Sequence, residues 1–244
     1  MSLKLVTLNV WGGRVREPIL EYFSKNKDVD IFCLQEVYHN APSKISDEDC
    51  YLNLNFFGEV SEILNNHTPY FRPVVNNIYG IGVLIKNTVT VTDEGQIVIY
   101  ENKDYEGVGP RHSRIAQWVK CTHDGSDYVI VNVHGLWNGK GKKDSEDRII
   151  QSKKIKEFVD ACRAPVIICG DFNLEPNTDS LEILSSGMND LIKENNITST
   201  RTSFYEKDVR YADYIFTSDN VTVNKFDVIE DEVSDHNALE LEFS

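Results

Sequence analysis

Four short stretches of this chain place residues of catalytic type where apolar runs end. Gly170-Asp171-Phe172-Asn173 follows the run at 165–169. Two apart on an extended chain, a carboxylate and a carboxamide face the same side. Asp171 could then orient or deprotonate a water while Asn173 holds an oxygen. The same letters also favour turns, and alone they are more often a turn than a site. Ser234-Asp235-His236-Asn237 precedes the last alternating run. A carboxylate beside an imidazole offers a metal ligand and a general acid or base together, although a lone surface Asp-His pair usually does nothing. Glu36 closes the apolar run 31–34 within Gln35-Glu36-Val37. A carboxylate at the end of a buried strand needs a metal or an arginine, because its charge is costly to desolvate. Asn9 ends the first run in the same way, ahead of Trp11-Gly12-Gly13.

Such groups work together only if strands deliver them to one edge. Two stretches share a layout that would do so. The first is an alternating strand at 4–10, an apolar-periodic segment with Ile19, Leu20 and Phe23, and a strand at 30–37. The second is a strand at 127–133, a helix over 145–162 and a strand at 165–170. In that helix Ile155, Phe158, Val159 and Cys162 share a face, and Glu146 and Asp147 suit the first turn. The strands of the two pairs end in Asn9 and Glu36, then His134 and Asp171. Further strands are predicted at 80–85, 88–100, 114–121, 211–217, 221–229 and 238–243, with a short helix at 178–186 stopped by Gly187. Strands in succession imply antiparallel pairing beside the two crossovers. With no low-complexity linker, residues 1–244 read as one domain, a layered α/β sandwich.

Composition narrows the classes. The 244 residues are 41% hydrophobic and 26% charged, a globular rather than a disordered balance. The formal charge of -14 argues against a general phosphate-seeking surface. It leaves room for a local basic cleft. The loop 139–143 (GKGKK) and Lys153, Lys154 and Lys156 are its candidates, the last three equally a solvated helix face. Cys33, Cys50, Cys121, Cys162 and Cys169 are odd in number and contain no Cys-x-x-Cys pair, which argues against a zinc cage or disulfide framework. No signal-like leader and no run of roughly 18 apolar residues is present, so the expected setting is the cytoplasm, away from membranes. Neither a G-x-S-x-G elbow nor P-loop spacing occurs.

Taken in order, LNVWG, QEV, NVHG, GDFN, YADYIF and SDH resemble the motif set of the endonuclease/exonuclease/phosphatase superfamily, known best from its deoxyribonuclease-I-like branch. The resemblance runs from Asn9 to His236. It implies a four-layer α/β sandwich, two packed mixed β-sheets flanked by helices, with the active site at one end. It implies Glu36 as principal Mg²⁺ ligand, Mn²⁺ being a substitute, with Asn9 and Asp235 assisting. An oxygen-only set suits a hard cation. Asp171 would position and activate water, and Asn173 would orient the phosphate oxygens or that water. His236 would contact the scissile phosphate while Asp213 holds its other ring nitrogen. His134 would stabilise developing charge or protonate the leaving oxygen, and which group is acid and which base stays open.

Around this core, Arg111 and Arg114, with His112 between them, stand where the superfamily places phosphate-facing arginines. A solvated charged loop is the equal alternative. Trp137 and Asn138 would stack on or bind a substrate group, or Trp137 would only cover core at the rim. Arg210 reads as an ion-pair partner, and His39, His67 and His123 as bystanders in polar loops. Superfamily members cut DNA, RNA tails, inositol phosphates, sphingomyelin, protein–DNA linkages and nucleotides. The expectation is therefore a Mg²⁺-dependent phosphoesterase acting on a phosphate ester, more specifically a phosphodiesterase. A structure- or end-specific nuclease acting on nucleic acid or nucleotide is the enzymatic alternative, and an inactive metal-binding scaffold the non-enzymatic one. Protein partners are not legible.

Overall fold

A computed structural model of the chain describes residues 2–42, 51–105 and 107–244; Cys50 lies outside them. Its elements are β1 (Leu3–Asn9), α1 (Arg16–Lys25), β2 (Ile31–Tyr38), α2 (Phe56–Ile63), β3 (His67–Val75), β4 (Tyr79–Lys86), β5 (Thr90–Tyr100), β6 (Arg114–His123), β7 (Ser126–His134), α3 (Glu146–Asp160), β8 (Val166–Asp171), α4 (Asp179–Ser185), β9 (Met188–Asp190), α5 (Leu191–Glu194), β10 (Asp213–Ser218), β11 (Val223–Ile229) and β12 (Ala238–Phe243). They build two six-stranded sheets, ordered β11-β12-β1-β2-β4-β3 and β5-β6-β7-β8-β10-β9. Each is antiparallel except for one central parallel pair, β1 with β2 and β7 with β8. Read in the order given, the two sheets match strand for strand in pairing sense, β1 with β7 and β2 with β8, so the repeated strand–helix–strand plan is a repeat of whole sheets.

The alternation of side chains explains the layers. On β1 and β2, Leu3, Leu5, Ile31 and Cys33 enter the core shared with the second sheet. Val6, Leu8, Phe32 and Leu34 turn outward, beneath α1 and α2. Both faces of these strands are covered, which is why they read as near-continuous apolar runs. On the second sheet's outer side, Ile155 and Val159 of α3 and Leu181 and Leu184 of α4 extend the shared core. The expected sandwich of two packed mixed sheets is the observed one.

A polar latch crosses the sandwich just beneath the strand ends. Gln35 Nε2 donates to Asn132 Oδ1 at 2.7 Å and to Thr7 Oγ1 at 3.1 Å. Asn132 Nδ2 in turn donates to the carbonyls of Leu34 and Gly82 at 3.2 and 3.1 Å. Such bonds fix register more sharply than apolar packing does, because a slipped pairing strands dry polar groups.

Some elements depart from the sequence reading. β3, in HTPYFRPVV, contains Pro69 and Pro73 and occupies a sheet edge, the place where a missing N–H is tolerated. It makes His67 a buried strand residue rather than a loop bystander, its Nε2 2.8 Å from the Val29 carbonyl. α2 is short and holds Gly58, too little periodicity to detect. β9 and α5 are shorter still. Among the described residues Arg210 forms no ion pair; its guanidinium bonds the carbonyls of Arg201, Thr202 and Tyr205 and so clasps the loop before β10. Among the described residues, no helix is long and apolar enough to cross a membrane.

Candidate active site

The two parallel strand pairs end side by side. In register, Asn9 lies beside Gln35, and His134 beside Asp171. Facing packing of the sheets brings the pairs together: Asn9 Nδ2 donates to Glu36 Oε1 at 3.1 Å and to Asp171 Oδ2 at 2.9 Å. Two carboxylates on one amide need strong local positioning, and the backbone supplies it. β2 is irregular between Leu34 and Val37, and Glu36 adopts φ 57° there. That left-handed conformation is unusual for a side-chain-bearing residue and turns the carboxylate out of strand alternation. Gly170, at φ 134°, admits the close approach of the Val133 carbonyl, which a Cβ would meet at 2.1 Å. Asn173 also has a positive φ, and its N–H donates to Asp171 Oδ1 at 2.8 Å.

His236 completes this centre. Its Nδ1 is 2.8 and 2.9 Å from the two Asp213 oxygens, and Thr200 Oγ1 donates to Asp213 Oδ2 at 2.8 Å. Nε2 is left facing Asp171 Oδ2 at 3.7 Å. Burial, helped by the Arg201 guanidinium, pushes the imidazole down to about 4, so His236 is neutral at pH 7. His134 lies opposite, its Nε2 3.7 Å from Glu36 Oε1 and 3.9 Å from Asp171 Oδ2. Arg114 Nη1 stands 2.9 Å from each ring nitrogen of His134. Burial and then that guanidinium hold His134 well below the usual histidine range. Burial raises Glu36 to about 7, opposed by the Asn9 hydrogen bond and aided by Asp235 and Asp171.

The arrangement offers an oxygen-rich corner with imidazole around it. Glu36, His134 and Asp171 present atoms within 4.8 Å of one another, as do Asp171, Asp213 and His236. Buried carboxylates converging without a cation repel each other, so this donor set fits a hard divalent ion. Asp235 is held by Arg201 at 2.7 Å through one oxygen, while its other, buried Oδ1 has no hydrogen-bond partner among the described residues and lies 3.8 Å from His236 Nε2. Asn9 presents its amide nitrogen to the carboxylates, and its Oδ1 accepts from the Trp11 N–H at 3.0 Å.

The structure separates the surrounding sequence candidates. A cavity of about 270 Å³ is lined by Glu36, Asp171, Asn173, His134, His236 and Asp235, and also by Arg114 and Trp137. Arg114 is therefore buried in the cleft rather than part of a solvated loop. Arg111 is exposed, lies over the Tyr105 ring and does not line the cavity. Asn138 instead accepts from the Lys140 N–H, a local turn role. In the GKGKK loop Lys140 and Lys143 are exposed, while Lys142 is buried. The Arg148 guanidinium bonds the carbonyls of Leu136, Gly141 and Lys143, and Lys142 turns inward to line the cavity. Lys153 and Lys154 are exposed on α3, and Lys156 pairs with Asp160 along the same helix.

Sequence reasoning missed Arg201, Tyr205, Tyr79, Lys207 and Trp11 as cavity residues, and it placed Lys142 only as one member of the Lys-rich loop; all six line the same cavity. Arg201 forms a β-bridge with His236, so its loop and the SDH segment are one unit. Its guanidinium and the Lys142 ammonium lie 4.2 and 4.8 Å from the Tyr205 ring. Two glycines around Lys142 and the Arg148 that follows were the available signal of a built loop. Nothing local marks Arg201.

The sequence model of the Endonuclease/Exonuclease/phosphatase family matches residues 6–236. No curated protein matches the chain. Among solved structures, the chain is similar to an endonuclease/exonuclease/phosphatase from Bacteroides vulgatus, at 21% identity and TM-score 0.70, covering 100% of this chain and 99% of that one. It is similar to a mannosyl-6-phosphatase from Bacteroides thetaiotaomicron, at 18% identity and TM-score 0.74, covering 99% of each. The human Nocturnin catalytic domain with bound sulfate aligns at 19% identity and TM-score 0.71, over 100% of this chain and 94% of that one. At such identities the likeness is one of fold.

Proposed function

We infer the function from one premise: this chain belongs to the Endonuclease/Exonuclease/phosphatase family. On that premise it is a divalent-metal-dependent hydrolase of phosphoric esters, the whole chain forming one catalytic domain. The observation that carries the reading is the convergence of Glu36, Asp171 and His134 in one corner, with the His236–Asp213 pair beside it. Glu36 and Asp171 would hold the ion, with the free oxygen of Asp235 at its margin; Mg²⁺ fits such hard donors, with Mn²⁺ as substitute. Once bound, the ion supplies charge stabilisation for the phosphoryl oxygens.

The chain's own residues do the rest. Asp171 is fixed through both oxygens, by Asn9 and by the Asn173 N–H, and it orients the attacking water. Asp213 holds the Nδ1–H of neutral His236, which leaves Nε2 as an acceptor on the same side as Asp171. Neutral His134 meets negative charge on the leaving oxygen by hydrogen bonding, with Arg114 behind it. Asn173, whose Nδ2 reaches the Gly135 carbonyl, orients a phosphate oxygen. Trp137 and Arg114 border the substrate. Arg111 and Asn138, away from the cavity lining, have no part in the chemistry of this reading.

The relatives in structure bear names that include a mannosyl-6-phosphatase and Nocturnin, so phosphodiester hydrolysis and nucleic-acid or nucleotide substrates remain members of one class with compact phosphate esters. The charge of -14 favours a compact ester over duplex DNA. A cytoplasmic location accords with Cys33, Cys121, Cys162 and Cys169 all being free thiols. The test is turnover of a panel of phosphate esters with Mg²⁺, with Mn²⁺ and with EDTA. Activity with either metal that EDTA abolishes is expected; a folded, metal-loaded protein inert on every ester would support the inactive scaffold instead.

A further inference from the structure

Three histidines line the cavity, and His112 is the one with no part in the chemistry above. It is 2% exposed, and its ring packs edge-on against Tyr79 and His134, with centroids 5.2 and 6.1 Å apart. Nδ1 lies 2.6 Å from the Ser113 carbonyl oxygen. A carbonyl can only accept, so Nδ1 carries the proton. Burial, then the Arg114 guanidinium, push the imidazole down to about 3 and keep it neutral at pH 7. Nε2 is left as a pure acceptor. Among the described residues it has no hydrogen-bond partner, yet it is not among the atoms sealed in the interior without one, so it opens on the cavity. The pose is held from several sides. Arg114 Nη2 donates to the Pro110 carbonyl at 3.1 Å, and Asn102 donates to the Arg111 carbonyl and to Ser113 Oγ at 2.9 and 3.0 Å. Packing alone calls for an apolar ring here, not for one whose second nitrogen must keep a donor.

An acceptor in this wall selects what can lie against it. Ionised phosphate oxygens present lone pairs and no proton, so they cannot bond to Nε2. An ammonium donor would meet the Arg114 guanidinium beside it. The group that fits is a neutral donor, and the one that an alcohol leaving group carries is a hydroxyl. The neighbouring ring is His134, which faces the leaving oxygen in the mechanism above, so that hydroxyl lies close to the ester bond. We propose that His112 Nε2 accepts a hydrogen bond from a second hydroxyl of the leaving alcohol, which makes the substrate the phosphate ester of a polyol or sugar and His112 the residue that sets this preference. The proposal rests on the phosphoester-hydrolase reading and names the leaving group within it. An aryl or simple alkyl ester displaces water from Nε2 without replacing its donor, and that penalty falls on such an ester alone.

The test pairs glycerol 2-phosphate with isopropyl phosphate, the same secondary ester without hydroxyls on the neighbouring carbons. Phosphate release from each is followed with Mg²⁺ in the whole chain and in His112→Phe, which keeps a ring and removes the acceptor. The ratio of kcat/KM for the two esters falls at least about fivefold in the variant, the worth of one hydrogen bond. Comparing ratios cancels the intrinsic reactivity of the two alcohols. A second readout needs no folded His112→Phe. In ¹⁵N-histidine-labelled Asp171→Asn protein, whose turnover is suppressed, the resonance of unprotonated His112 Nε2 moves upfield with glycerol 2-phosphate and stays in place with isopropyl phosphate; its loss in His112→Gln assigns it. An unchanged ratio in a folded His112→Phe protein, or an Nε2 resonance that glycerol 2-phosphate leaves unmoved, would overturn the inference. Metal-dependent hydrolysis of both esters at a ratio indifferent to His112 removes the polyol preference and keeps the hydrolase. An Nε2 shift with glycerol 2-phosphate, without turnover of either ester, does the reverse.

Discussion

Asn132 ties the two sheets together, and replacing it with Leu isolates that role. The side chains are close in volume, so no large cavity opens. What is lost are three dry hydrogen bonds: from Gln35 Nε2 at 2.7 Å, and to the Leu34 and Gly82 carbonyls at 3.2 and 3.1 Å. Asn132 and Gln35 are fully buried, so water cannot substitute. At about 1–2 kcal/mol for each bond broken in the interior, and with a partial offset from added apolar surface, the loss is about 3–5 kcal/mol. For a chain of this size that lowers the melting temperature by about 6–20 °C. Urea unfolding gives the free energy directly, provided the slope is unchanged. Gln35→Leu with Asn132→Leu removes both halves of the central bond, so the double variant is less unstable than the two single losses added. A single Asn132→Leu costing under about 1 kcal/mol, or strict additivity in the double variant, would refute the latch.

Other positions make separate tests. Glu36→Gln keeps the fold and weakens Mn²⁺ binding at least about tenfold by calorimetry or spin-relaxation titration, because a carboxamide is a poor ligand for a hard cation. Arg210→Met releases the loop bearing Arg201 and Tyr205; it raises KM for a phosphate ester more than it lowers kcat and costs about 1–3 kcal/mol in urea melts. His112 gives a pH dependence of stability. Burial, with the Arg114 guanidinium acting the same way, pushes it down from 6.5 to about 3, so the unfolded chain binds its proton first as pH falls. Stability present above pH 6.5 is therefore lost progressively from there toward pH 3, by about 2 kcal/mol on reaching pH 5. His112→Gln flattens that part of the profile in melts from pH 7.5 to pH 5, and an unchanged slope would count against it.

What was legible in the sequence follows from what strands announce. Asn9, Glu36, His134 and Asp171 all terminate apolar runs, and the short length of those runs, with alternation in the first of them, placed them as strands. The repeated plan then put the four ends on one edge, where the Asn9 bonds to Glu36 and Asp171 bring them. The left-handed backbone at Glu36 was not legible, because a non-glycine residue gives no local warning of it. β3 was hidden by its prolines, which an edge strand tolerates and a central one does not. Lys142 stood out only as one of three lysines in a loop that could border a basic cleft. It is buried because Arg148, at the start of α3, and Glu175, beyond β8, hold its loop; the contact with Glu175 is a tertiary fact that the residue's neighbours in sequence do not carry. Arg201 likewise gains its place through a bridge to His236, 35 residues away, and through a carboxylate at Asp235.

The central claim is that water, oriented at Asp171, attacks phosphorus with a divalent ion in the adjoining corner. Hydrolysis of 4-nitrophenyl phosphate in ¹⁸O-labelled water with Mg²⁺, beside Asp171→Asn, tests this most directly. One labelled oxygen is expected in the inorganic phosphate and none in the nitrophenol, with turnover falling by about 10²–10⁴-fold in the variant. Label in the nitrophenol, or undiminished turnover in a folded Asp171→Asn protein, would contradict the account.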